Sequence, residues 1–237
     1  MGRPTAPPGC RRSCCSTIRS AASTCGQLPG PPARATARRV VAYDRLGFGR
    51  SDAHPGVLPL DFVAAEARDI VPLLLDRLGI GAFVACGHSV GGGMAVETAA
   101  RFPARCRALV TIAAQTFVED RTLAGIREAK QGFQEPAQFA RLARYHGDKA
   151  RWAVDAWTEN WLSPAFAGWT LDAALARVRC PVLALHGDRD EYGSAMHPAR
   201  IAAGRGTVRL LPDTGHVPHR ERETEVVEAI RAFLSAP

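Results

Sequence analysis

The sequence predicts an α/β fold with a mostly parallel sheet, on three observations. From residue 40 onward, short apolar runs alternate with helical patterns, the sequence form of strands joined by helices. The run Ala82-Phe83-Val84-Ala85-Cys86 passes through a glycine-flanked turn straight into Met94-Ala95-Val96-Glu97-Thr98-Ala99-Ala100, a strand–turn–helix unit. The 237 residues suffice for one such domain with a sizeable core.

Val40–Tyr43 is the first clear strand. Asp61–Leu78 carries Phe62, Val63, Ile70, Leu73, Leu74 and Leu78 at helical spacing, with Glu66, Asp69 and Asp76 elsewhere, so it is a helix. Phe83–Cys86 is a strand and Gly91–Phe102 the following helix. Ala108–Ile112 and Val182–Leu185 are strands, the latter introduced by Pro181. Val208–Leu211 is the last strand and Glu223–Leu234 the closing helix. The core therefore comprises 40–117 and 171–237. Between them, 118–170 is expected to form a helical lid, with helical patterns at Arg121–Gln131, Pro136–Tyr145 and Lys149–Leu162. It carries all four tryptophans, Trp152, Trp157, Trp161 and Trp169, which either contact a ligand or only glue the lid to the core.

Residues 1–39 fit no element and read as an irregular leader. They hold seven arginines and no acidic residue, so the formal charge of +7 belongs to them and the rest of the chain is neutral. That removes the charge argument for nucleic-acid or membrane-surface binding. No apolar run approaches the ~20 residues of a membrane span. Four of the seven cysteines lie in the leader. Cys86, Cys106 and Cys180 are in or beside strands, without disulfide or zinc spacing, and read as buried thiols of a reducing, cytoplasmic compartment. No metal or cofactor motif is present: Gly91-Gly92-Gly93 runs into Met94 without the Lys-Ser/Thr pair of a phosphate loop.

Gly87-His88-Ser89-Val90-Gly91 fits the Gly-x-Ser-x-Gly nucleophile elbow, whose glycines allow a tight turn that exposes the serine at a helix N-terminus. A serine nucleophile needs a general base, and the base an orienting carboxylate. Both candidates follow predicted strands: His186-Gly187-Asp188-Arg189-Asp190, then Pro212-Asp213-Thr214-Gly215-His216. With Val41–Asp52, these blocks resemble the α/β-hydrolase fold family over residues 40–237. The resemblance implies Ser89 as nucleophile, Asp190 as acid, His216 as base, and the backbone N–H of Val90 as one oxyanion donor. Asp188, Glu191 and His219 are passed over by the family's turn and Gly-His pair. His88 reads as structural, and His54, His146 and His197 as surface histidines. Asp44 and Arg45 read as fold-stabilising and Ser51 as a turn hydrogen-bonder.

The family's first strands have no counterpart before residue 40. Its third strand, which lies between the fourth and fifth and leads into the second oxyanion donor, is among those missing, so Val40–Tyr43 should lack a partner and the second donor is unknown. Read one base out of register, Arg11–Gly26 admits an apolar run followed by histidine, so the leader is read as a frame-shifted form of that segment, in a poorly stable and weakly active chain. The resemblance implies a serine hydrolase acting on a small-molecule ester, thioester, lactone or the carbon–carbon bond of a diketone, without a cofactor. An acyltransferase or perhydrolase would use the same residues. A non-catalytic binding protein on this fold is the alternative of a different class. Oligomeric state is not readable.

Overall fold

The computed structural model describes residues 13–18, 35–36 and 38–235. They form a six-stranded, all-parallel sheet in the order β2-β1-β3-β4-β5-β6. The strands are β1 (Ser13–Ile18), β2 (Arg39–Tyr43), β3 (Ala82–His88), β4 (Cys106–Ile112), β5 (Val182–Gly187) and β6 (Gly206–Leu211). Five of the six lie where the apolar runs predict them, extended by one to three residues at their ends.

The sixth is a correction. Ser13–Ile18 is a strand, paired with β2 from Cys14↔Arg39 to Ile18↔Tyr43 and with β3 from Ser13↔Ala82 to Ile18↔Gly87. The expectation that no strand from residues 1–39 would lie between Val40–Tyr43 and Phe83–Cys86 is overturned. With it goes the unpaired central edge, one of the two grounds on which a poorly stable, weakly active chain is expected; the other, the second oxyanion donor, lies outside the described residues. Serine and cysteine give no apolar run to detect, whereas a slot between two parallel strands offers backbone partners on both sides. Among the described residues no strand lies beyond β2, so the family's first two strands have no counterpart there. The rest of the leader reading falls largely on residues 1–12 and 19–34, outside the described residues.

Alternation along each strand feeds two cores. Phe83 and Ala85, Leu109, and Val182 and Ala184 face one layer, with the helices over 62–77 and Val90–Arg101; Val84 and Cys86, Val110 and Ile112, and Leu183 and Leu185 face the other. Helix α1 runs over Phe62–Ala65, widens into a π-helical turn at Glu66–Ile70 and resumes over Val71–Arg77. Its Glu66 is buried, accepting from Tyr43 Oη at 2.7 Å and Arg45 Nε at 2.8 Å. This fastens the β2 loop to α1, with the Arg45 guanidinium over the rings of Phe48 and Phe62. Asp44 and Ser51 stay within the loop, Asp44 accepting from Arg50 N and Ser51 donating to Asp44 O. Helix α2 is Val90–Arg101.

Three helices follow β4: α3 (Asp120–Gly132), α4 (Pro136–His146) and α5 (Ala150–Leu162). This insertion leaves and re-enters the core at one place, where Phe117 and Thr170 form an antiparallel bridge and Leu171 N donates to Thr116 O at 2.9 Å. It is tied to the β2 loop by Trp152 Nε1 to Gly56 O, Asn160 Nδ2 to Leu58 O, and Gly49 N to His146 Nδ1. His146 is therefore buried, not on the surface, and His54 stacks on Trp152. Short helices α6 (Asp172–Leu175), α7 (Met196–Ala202) and α8 (Pro218–Glu221), and the closing α9 (Glu223–Ser235), complete the described chain. Among the described residues no helix is long and apolar enough to cross a membrane.

Candidate active site

Ser89 stands between the end of β3 and the start of α2, with φ 55° and ψ −130°, a conformation that L residues rarely adopt. Such strain persists only where the surroundings enforce it. Here Ser89 N donates to Ile112 O at 2.9 Å, and Ser89 O accepts from Gly92 N at 2.8 Å. A Cβ on Gly87 would collide with the Gly91 carbonyl, so only glycine lets the turn close this tightly. Val90 opens α2, and a first-turn N–H has no intrahelical acceptor.

The loops after β5 and β6 meet this turn. A Cβ on Gly187 would strike the carbonyls of Thr214 and Gly215, so glycine is what brings the two loops together. His216 Nε2 lies 2.9 Å from Ser89 Oγ, and His216 Nδ1 lies 2.9 and 3.0 Å from the two oxygens of Asp190. An ionised carboxylate only accepts, so Nδ1 carries the proton and Nε2 is left to accept from the serine hydroxyl. Asp190 is fully buried. Burial pushes its carboxyl upward. The hydrogen bond and charge of His216, the charge of His186 and the N–H of Tyr192 outweigh this and hold it below the usual range.

The other sequence candidates are elsewhere. Asp188 accepts from Thr214 N at 3.3 Å, and Glu191 from His216 N at 3.2 Å. His219 packs its ring on His88, 4.7 Å between centroids. His88 Nε2 donates to His216 O at 2.7 Å and so braces the His216 backbone. His197 is a second correction to the surface reading. It is fully buried, with Nδ1 accepting from Thr116 N and Nε2 against Glu119 Oε1 at 2.9 Å. Its helix, α7, has no long apolar pattern to reveal it.

Two further residues position the site. His186 Nε2 lies 3.1 Å from Gly193 O and 3.3 Å from Asp190 Oδ2, so Asp190 touches two imidazoles. Glu221 accepts from Gly215 N at 2.7 Å and Val217 N at 3.0 Å, clamping the backbone around His216. Their signal was proximity: each lies within five residues of a motif residue. Among the described residues no group of three or more His, Cys, Asp or Glu could hold a metal ion.

Above Ser89 and His216 is a cavity of about 210 Å³. Its apolar wall is Ile126 and Ala129 from α3, Phe133 just past its end, Trp157 and Trp161 from α5, and Tyr192; Gln115, Thr122, Gln138 and Glu191 add polar atoms. The tryptophans thus divide. Trp157 and Trp161 line the cavity, while Trp152 holds the β2 loop and Trp169 stacks with Phe166. Trp161 also packs against Phe166 and Trp169, so it does both.

Two buried histidines and the half-buried His88 carry an acid liability. Burial lowers His88, helped by repulsion from His216 and His219. Burial also lowers His186 and His197, with Asp190 and Glu119 opposing but not cancelling it. Unfolded, each returns to about 6.5. Below that pH the unfolded chain binds more protons than the folded one, so stability falls with pH. The lowered Asp190 has the same sign, its contribution being lost as pH falls toward its folded value. Melting temperature should decline as pH is lowered through 6.5 to 5; a rise across that window would contradict the assignment.

Comparison with known proteins gives this geometry a setting. A family model described as "Alpha/beta hydrolase family" matches residues 22–229. Serine hydrolase BPHL of Mus musculus is 26% identical over 204 residues, 82% of this chain and 69% of that protein. In shape, the chain is similar to the enol-lactonase from Burkholderia xenovorans LB400, with TM-score 0.70, 20% identity and coverage of 96% and 93% of the two chains. It is also similar to the 2-hydroxy-6-oxo-6-phenylhexa-2,4-dienoate hydrolase from Rhodococcus, with TM-score 0.71, 20% identity and coverage of 94% and 90%.

Proposed function

The chain belongs to the alpha/beta hydrolase family, and from that premise we propose that it is a serine hydrolase working through an acyl-enzyme on Ser89. The observation that carries this reading is the unbroken hydrogen-bond chain from Ser89 Oγ through His216 to Asp190, opening into a cavity. His216 Nε2 takes the hydroxyl proton as Oγ attacks the substrate carbonyl. Asp190 holds the imidazole in the required tautomer and stabilises the imidazolium. The Val90 N–H is aimed by the helix start at the developing oxyanion, and such a donor is worth ~10²–10³ in rate. His216 then gives its proton to the leaving group, and water repeats the sequence on the acyl-enzyme. The family's second oxyanion donor follows the strand that β1 occupies here, and falls on residues 19–34, outside the described residues.

The substrate is a small molecule with an acyl bond: an ester, thioester, lactone or the carbon–carbon bond of a diketone. In this reading 118–170 acts as the lid, since α3 and α5 form one wall of the cavity. The volume favours a compact acyl group, because a cavity of about 150 Å³ accommodates benzene. Labelling with a fluorophosphonate, followed by a chain-length series of aryl esters, tests the proposal. Stoichiometric labelling at Ser89 and hydrolysis of short esters are expected. A protein that resists the probe and turns over no ester is a binding module on this fold instead.

A further inference from the structure

Gln115 is a polar feature of the cavity that acyl transfer to water does not use. It follows β4, just past Ala113, whose φ of 48° turns the chain across the strand ends. The residue is 3% exposed and lines the same cavity as Ser89. Among the described residues its side-chain amide has no hydrogen-bond partner. Its neighbours are better served: Thr116 contacts His197 Nδ1 through its backbone N and its Oγ1, and the Thr122 hydroxyl donates to Tyr192 O at 2.6 Å. The amide's two donors and acceptor oxygen remain open toward the cavity, so a polar group placed there can complete them.

We infer that Gln115 is a specificity-determining residue, selecting acyl groups that carry a neutral hydrogen-bonding substituent, a hydroxyl or a carbonyl, on an otherwise apolar body. This rests on the serine hydrolase reading. The apolar body matches Ile126, Phe133, Trp157 and Trp161. A neutral substituent follows from the charges: among the described residues the cavity lining holds the Glu191 carboxylate and no lysine or arginine, so an anionic acyl group meets repulsion from the described wall. Gln138, also at the cavity, offers a second amide from the facing helix α4.

The test compares kcat/KM for p-nitrophenyl phenylacetate and pentanoate with the 3- and 4-hydroxyphenylacetates and 4-oxopentanoate. Sites that hydrogen-bond a substrate group reject analogues lacking it. At least one polar ester should exceed its apolar parent by about tenfold or more. Gln115→Leu should bring that ratio near one by slowing only the polar ester, while Ser89 still labels with fluorophosphonate. Gln115→Met, closer in volume, should do the same. The inference is overturned by a wild-type protein with no such preference, by a ratio that survives both variants, or by an equal loss on both esters. None of these touches Ser89 labelling, so they leave the hydrolase reading standing. Absence of both labelling and turnover overturns that reading and this inference together.

Discussion

Ser89→Ala should lower kcat for aryl-ester hydrolysis by on the order of 10⁶-fold, to the residue of catalysis that binding and the oxyanion donor supply alone. His216→Ala should cost about as much, and the double variant little more, because nucleophile and base act as one unit. The serine variant should remain folded. Ser89 holds φ 55° because the turn imposes it, and alanine meets the same strain as serine. Its melting temperature therefore serves as the control, and fluorophosphonate labelling should vanish with the activity. Turnover within tenfold of the parent in Ser89→Ala would end the covalent mechanism.

The second large effect is at Asp190. Asp190→Asn should lower kcat by on the order of 10⁴-fold, through orientation and charge rather than loss of a reacting atom. Both carboxylate oxygens lie within 3.0 Å of His216 Nδ1. Whichever way an asparagine amide turns, its NH₂ group therefore sits against the Nδ1 proton. The ring is driven toward the tautomer that points Nε2–H at Ser89, and the charge balancing the imidazolium is gone. Asp188→Asn, two residues earlier in the same loop, loses only an acceptor for Thr214 N and should stay within a few-fold of the parent. Equal losses at the two positions, or a fall of less than tenfold at Asp190, would remove the acid assignment.

Much of this was legible in the sequence because strands that carry the site have both an apolar run and a glycine where loops must touch. Val182–Leu185 announces β5, and Gly187 permits the approach that sets Asp190 against His216. What escaped lacks such marks. β1 is held by backbone partners on two sides, and its serines and cysteines give pattern reading nothing to find. His197 and His146 look exposed until the helices that bury them are placed. Gln115 had one available signal, its position just past a strand end in the layer where such sheets bind ligands. Glu221 and His186 act on backbone and on a carboxylate, through contacts that no linear spacing encodes.

The stitch at Phe117 and Thr170 has a consequence for the history of such a chain. Everything between those residues leaves and returns through a single bridge, whereas Ser89, Asp190 and His216 are all held on the far side of it. The intervening stretch is therefore a cassette. A recombination event, or a deliberate graft, can exchange it at that one seam without altering a strand register, provided the new stretch replaces the contacts of Arg121 with Asp190 O, Thr122 with Tyr192 O and Glu119 with Ser194 N. Gln115 lies just outside the seam, so a transplanted cassette would bring new walls yet inherit the old polar anchor. Lineages built this way should diversify first in the hydrophobic outline of what they accept, and only later in the placement of its polar group.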